Sequence, residues 1–290
     1  MRTTYWTTFA AALVLAQAAC TVDKAADESR GGREAFAQTP AATANVVTVT
    51  SREFAFAAPA TIPAGLTTVR LVNQGKEMHH VQLVRLAEGH TAAELVELAQ
   101  SEGEPMPEWA TFVGGPNAHA PGASSESTVV LQPGEYALVC FIPSPDGVPH
   151  IAKGMVKPLT VVPGANEAQM GEADVRMTLR DYAFDIQPEL TAGRHTIHVT
   201  NAAAQPHEFV LMRLAPGKSP QDVLAWMQAG MQGQPPAMPI GGTSFLSTGE
   251  SNQLTMDFEP GEYALFCFVP DAKDGAPHVA HGMVRQISVR

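Results

Sequence analysis

Apolar and polar residues alternate along most of this chain in short runs, each closed by glycine or proline. Residues 46–56 (VVTVTSREFAF), 62–73 (IPAGLTTVRLVN) and 131–143 (LQPGEYALVCFIP) are examples. A period of two marks strands, and runs of this length broken by turn residues predict an antiparallel sandwich. Two stretches depart from that period. In residues 91–103, TAAELVELAQSEG, Leu95, Leu98 and Ala99 recur at helical spacing behind a threonine cap. Residues 219–230, SPQDVLAWMQAG, repeat the pattern with Ser219 as cap and Pro220 at the first helical position.

The pattern itself occurs twice, with a period of about 128 residues. Residues 46–56 match 174–184, 62–73 match 190–201, 78–86 match 206–214, 131–143 match 258–270, and PHIAKGM (149–155) matches PHVAHGM (277–283). A unit that long is a whole domain rather than a solenoid turn. The expected fold class is therefore all-β: two tandem Greek-key sandwiches, residues 46–162 and 174–290, each carrying one short helical insertion. Residues 163–173 read as a linker, and residues 21–45, without apolar period, as a flexible tether. At 290 residues there is room for two separate cores.

Metal-binding side chains recur in the same order in both copies. The first has His79, Cys140, His150 and Met155; the second has His207, Cys267, His278 and Met283. Two imidazoles, a thiolate and a thioether suit a metal that cycles between Cu(I) and Cu(II), because sulfur and nitrogen together satisfy both states. Each residue alone has a simpler reading: a hydrogen-bonded histidine, a small buried cysteine, a core methionine. The ordered set, twice over, favours a metal. The internal match also selects among neighbours. Glu208 stands opposite His80, so His79 is the candidate; His281 faces Lys153 and reads as a surface residue. His90, His119, His195 and His198 have no histidine partner in the other copy. Met227, Met231 and Met238 form a loose run that reads as a docking face for the second insertion rather than a Cu(I) site.

These segments resemble the cupredoxins, the blue-copper family. The carriers are Asn73 and Asn201, each six residues before its histidine, the PGEY-x3-Cys segments, and the His-x3-Gly-Met endings. The resemblance spans nearly all of residues 46–162 and 174–289. It implies one type 1 copper per domain, held by His79, Cys140, His150 and Met155 and by His207, Cys267, His278 and Met283. It departs from the family in one respect. Nine residues (FIPSPDGVP) separate Cys140 from His150, and ten (FVPDAKDGAP) separate Cys267 from His278. Their Pro-Asp-Gly content predicts an excursion that leaves and returns.

Charge and the leader set the context. Eighteen basic residues face twenty-nine acidic ones, a net charge of −11, which argues against nucleic acid or an anionic membrane as the main partner. Residues 1–20 read as an export signal, with Arg2 before a short apolar run. Two processing routes compete: cleavage at Ala16-Gln17-Ala18, or a lipoprotein box ending at Cys20 as the acylated residue. The second is preferred because Cys20 otherwise has no role. Membrane attachment would then be through an N-terminal lipid alone. One cysteine per domain suits a metal or a buried thiol better than a disulfide framework.

The expected function is an exported, copper-binding electron carrier of the periplasm or cell envelope, meeting envelope redox or copper-handling proteins. Copper storage or delivery, and a metal-free interaction module, stay open as alternatives; a reductase with a second metal between subunits is a further one. No enzyme activity is expected. The chain lacks the His-x-His pairs of a trinuclear copper centre, and it has no nucleophile motif or phosphate loop.

Overall fold

A computed structural model describes residues 43–101, 107–164 and 166–290. The export signal with Cys20, and the tether as far as residue 42, lie outside the described residues. Among those described, no helix is long and apolar enough to cross a membrane.

The first half contains β1 (Asn45–Arg52), β2 (Ala55–Ala57), β3 (Thr61–Pro63), β4 (Gly65–Asn73), β5 (Gln82–Leu86), α1 (Ala92–Gln100), β6 (Ala110–Phe112), β7 (Ser124–Leu131), β8 (Gly134–Val139) and β9 (Val156–Val162). The second contains β10 (Val175–Arg180), β11 (Ala183–Gln187), β12 (Gly193–Asn201), β13 (His207–Leu214), α2 (Pro220–Gln228), β14 (Ala237–Leu246), β15 (Ser251–Phe258), β16 (Gly261–Phe266) and β17 (Val284–Val289). In each half the chain crosses repeatedly between two packed sheets, as a Greek-key sandwich requires. Those crossings leave parallel neighbours, β1 beside β4 and β10 beside β12, among antiparallel ones.

Strand burial follows the sequence pattern. In β1, Val47, Val49 and Ser51 point inward while Val46, Thr48 and Arg52 face out. β8 and β16 differ: Tyr136 to Val139 and Tyr263 to Phe266 are buried on both faces. The helices are the reason. Ala92 and Leu95 of α1 pack in one core cluster with Val84, Leu86, Ala137 and Val139. Val223 of α2 does the same for Val210, Met212, Ala264 and Phe266. A strand covered on both faces reads as a continuous apolar run. Both helices open with a capping box, Thr91 with Glu94 and Ser219 with Asp222. The Tyr hydroxyl of each PGEY segment donates back to a carbonyl four residues upstream, Tyr136 to Gln132 (2.9 Å) and Tyr263 to Glu259 (2.8 Å).

Each half keeps a core cluster of its own, Val47 to Val161 in the first and Val210 to Phe266 in the second, and a third cluster crosses between them. The described residues fall in one compact unit, and the crossing cluster runs from Val84 and Val139 through Phe112 and Phe245 into the second sandwich. Phe141 stacks on Phe245 at 5.3 Å. One sheet of each half meets the other at β7 and β15, giving eight strands in the order β11-β10-β12-β15-β7-β4-β1-β2.

A second seam joins the segment after β6 to β14, with bridges Val113–Leu246, Pro116–Thr243 and His119–Ile240. It depends on two Gly-Gly pairs at equivalent places. Gly115 (φ +135°) and Gly242 (φ +119°) lie so close to the adjacent chain segment of their own half that a Cβ would meet Val81 O at 2.2 Å and Phe209 O at 1.8 Å. Gly242→Ala is therefore expected to lower unfolding free energy by more than about 2 kcal/mol, since the left-handed backbone and the contact both resist a side chain. Gly217 (φ +73°), with open space around it, should cost less on the same change. Urea denaturation of the two variants compares them directly.

Candidate metal centres

Each centre is assembled from a strand start and a single loop. Asn73 terminates β4 and ties down the loop that follows: its Nδ2 donates to Glu77 O (2.8 Å) and its Oδ1 accepts from Gly75 N (2.9 Å). Asn201 repeats this with Gln205 O and Ala203 N. These loops deliver His79 and His207. Cys140 and Cys267 directly follow β8 and β16. The excursions after them do leave and return. Pro143 bridges Pro149 and Pro270 bridges Pro277, and His150 N and His278 N donate to Ile142 O and Val269 O, both at 2.9 Å. The long Cys-to-His spacing thus closes as a small hairpin.

A single 3-10 turn then carries each histidine, His150–Lys153 and His278–His281. Gly154 (φ +95°) and Gly282 (φ +94°) end these turns in the left-handed region, which reverses the chain without a Cβ penalty. The reversal returns the methionine backbone to the cysteine: Cys140 N donates to Met155 O and Cys267 N to Met283 O, both at 3.3 Å.

His79, Cys140 and His150 form one group whose ligating atoms lie within 4.8 Å of each other, and His207, Cys267 and His278 form a second. All six are fully buried, as are Met155 and Met283. His79 Nδ1 lies 3.1 Å from His150 Nδ1, and Cys140 Sγ lies 3.4 Å from the latter. Cys267 Sγ lies 3.7 Å from His207 Nδ1 and 3.4 Å from His278 Nδ1. Imidazole Nδ1 atoms facing one another and a thiol make a nitrogen-and-sulfur donor set that suits a soft or borderline cation.

Burial drives His79, His207 and His278 toward the uncharged form. His79 is pushed down to about 4 by desolvation and by His150, and His278 to about 4 by desolvation and by His207. Desolvation lowers His207 too. At neutral pH their lone pairs are free. Burial pushes the Cys140 thiol up to about 12 and raises Cys267 as well. A metal entering either centre must displace the thiol proton.

Groups beyond the predicted set orient the ligands. Glu77 Oε2 accepts from His150 Nε2 (2.9 Å), and Asp181 Oδ1 accepts from His207 Nε2 (3.1 Å), so both rings turn Nδ1 to the thiol. Phe54 (φ +58°) and Tyr182 (φ +63°) hold a left-handed backbone rare for aromatics and place their rings edge-on against His150 (5.4 Å) and His278 (5.6 Å). Tyr182 Oη donates to Asp271 Oδ2 (2.6 Å), which holds the Asp271 carboxyl well below the usual range beside His278. The matching turns Arg52-Glu53-Phe54 and Arg180-Asp181-Tyr182 are a sequence signal for Phe54, Asp181 and Tyr182, whereas Glu77 matches Gln205 and has none.

The other histidines lie outside the two His-Cys-His groups. His80 turns toward the second sandwich, His90 stacks on Trp109 at 4.5 Å, and His195 pairs with Asp174. His281 pairs with Asp274 at the surface. The methionine run splits up: Met227 packs from α2 onto the core cluster beneath it, whereas Met238 is half exposed on β14.

Each buried group offers a donor set that can hold copper. Neither a family model nor a curated protein sequence matches the chain. Among solved structures it is similar to an auracyanin from Roseiflexus castenholzii, 28% identical over 42% of this chain and 99% of that one, TM-score 0.29. Auracyanin A of Chloroflexus aurantiacus, a "blue" copper protein, is 21% identical over 41% and 99%, TM-score 0.31. A copper nitrite reductase from Nitrosomonas europaea is 13% identical over 86% and 94%, TM-score 0.26.

Glu77→Gln is expected to weaken metal binding at the first centre by about 10–100-fold, leaving the second unchanged. Competition with a Cu(I) chelator, run on Glu77→Gln and on Asp181→Asn, would show each loss confined to its own centre.

Proposed function

We propose that this chain is an exported one-electron carrier with a type 1 copper in each sandwich, acting without enzymatic turnover of its own. The observation that carries the reading is the pair of fully buried His-Cys-His groups, each with a methionine on the same returning loop. Bound copper would supply a reversible one-electron couple. His79, Cys140 and His150 would hold it in the first domain, residues 46–162, with Met155 as the weak fourth donor. His207, Cys267, His278 and Met283 would do so in the second, residues 174–290.

The protein's own part is to exclude water and to hold the ligand rings. Sheets, helices and the closed Cys-to-His hairpins keep the thiols out of solvent, which protects them from oxidation. Glu77 and Asp181 fix the ring tautomers, so ligand geometry does not have to change with the metal's charge. Cell-envelope redox proteins are the proposed partners. Attachment through Cys20 belongs to the same proposal.

Protein produced with copper should contain two ions per chain and absorb intensely in the visible through thiolate-to-copper charge transfer, reversibly lost on reduction. Cys140→Ser and Cys267→Ser should each leave one copper, and the double variant none. Tight Cu(I) binding without visible colour would instead assign storage or delivery. Copper content unchanged in the double variant would rule out both.

A further inference from the structure

A cavity of about 480 Å³ lies between the two halves, within the size range of small-molecule sites. Residues of both sandwiches line it, and so do Leu98 and Ala99 of α1 and Met227 of α2. None of the candidate copper ligands does, so the cavity is separate from both centres. Four phenyl rings stand on its wall, those of Phe112, Phe141, Phe245 and Phe268. Phe141 stacks on Phe245 at 5.3 Å, and Phe112 lies 6.2 Å from the first and 5.8 Å from the second. A ring face carries partial negative charge and attracts a cation where water is excluded. Met78, Met212 and Met227 add thioethers, which are polarisable and adapt their shape. Among the described residues no lysine or arginine lines the cavity, and Glu208 brings its one carboxyl group.

The internal match shows that this carboxyl is more than a structural device. Glu208 Oε1 accepts from Phe268 N, the residue after Cys267, at 3.0 Å. At the equivalent place in the first half, His80 Nε2 accepts from Phe141 N at 2.9 Å. An imidazole thus serves the same amide without a carboxylate. Glu208 Oε2 accepts from Asn117 Nδ2 at 2.9 Å, again a neutral donor. Glu208 is 4% exposed, and a carboxylate buried among neutral donors and phenyl rings lacks a counter-charge. Each of its oxygens keeps a second lone pair.

We propose that this cavity binds a small organic cation, an ammonium group carried on an apolar body, with the phenyl faces and the Glu208 carboxylate as its counter-charge. The apolar body would fill the space between the sandwiches, and the ammonium group would seat at Glu208. The chain's net charge of −11 draws cations toward it. Other ligand classes match the wall less well. An anion meets no basic residue there, and a hard metal ion meets a single carboxylate where it wants several oxygens. The inference does not rest on either centre holding copper.

The test titrates the full chain with benzyltrimethylammonium chloride, a cation without a lone pair to offer copper, and with neopentylbenzene, its neutral isostere. Binding is followed by calorimetry and by the shifts of the Phe141 and Phe268 amide signals. The cation should bind once per chain, and about tenfold or more tighter than the isostere, the worth of one desolvated cation–π contact. Glu208→Gln should bring the two affinities to within about twofold by weakening the cation alone. Ala99→Trp, on the half-exposed face of α1, should fill the cavity and remove binding of both probes, and it serves if Glu208→Gln does not fold. No saturable binding of the cation overturns the proposal, as does equal affinity for the isostere in the native chain. Cation binding that survives both Glu208→Gln and Ala99→Trp lies on the acidic surface and overturns it too. Each outcome reads the same whether or not copper is bound, so the copper reading stands or falls separately.

Discussion

Three polar ligands in each half must share a space from which water is excluded, and the rest of the molecule follows from that. Burying a thiol and two imidazoles together costs the hydration each would have in water. They stay together only because surrounding structure over-determines them. One Asn fixes the incoming loop, a hairpin closes the long excursion, and one left-handed glycine returns the methionine backbone to the cysteine. Each device occurs twice with nearly the same distances, which indicates a geometry held under constraint rather than a coincidence of packing.

The shielding extends outward in layers. The cysteine-bearing strands are buried on both faces, which a sandwich alone does not provide, so a helix is inserted in each half to cover the outer one. Those same strands then lie near the joint between the halves. The Phe112, Phe141 and Phe245 cluster and the Gly-Gly seam make the joint part of the core rather than a linker-mediated contact.

Much of this was legible in the chain. Period-two runs and the internal match predicted two sandwiches, and the helix caps Thr91 and Ser219 marked the insertions to within a residue at their starts. The match also separated His79 from His80, because a glutamate opposite an imidazole argues against a ligand. The core cluster that crosses between the halves was not legible. Alternation shows that a face is buried but not against what, and here part of the cover comes from the other half. Glu77, Asp181, Phe54 and Tyr182 escaped notice for a related reason. Their turns are short and polar, and only the folded backbone, with its two left-handed aromatic residues, shows that they face the ligand rings. The Gly-Gly pairs were visible in both copies, but the closeness that demands them is a property of packed strands.

The meeting of β7 with β15 has a meaning for solubility. A sandwich standing alone would present an outer strand with unpaired amides and carbonyls, ready to template another chain. Here the outer strand of one half is turned against that of the other, with Gln253 opposite Thr128. The duplication thus shields two exposed borders at once. A single copy cut from the chain would regain a sticky margin along Ser124–Leu131, however well its own interior was packed.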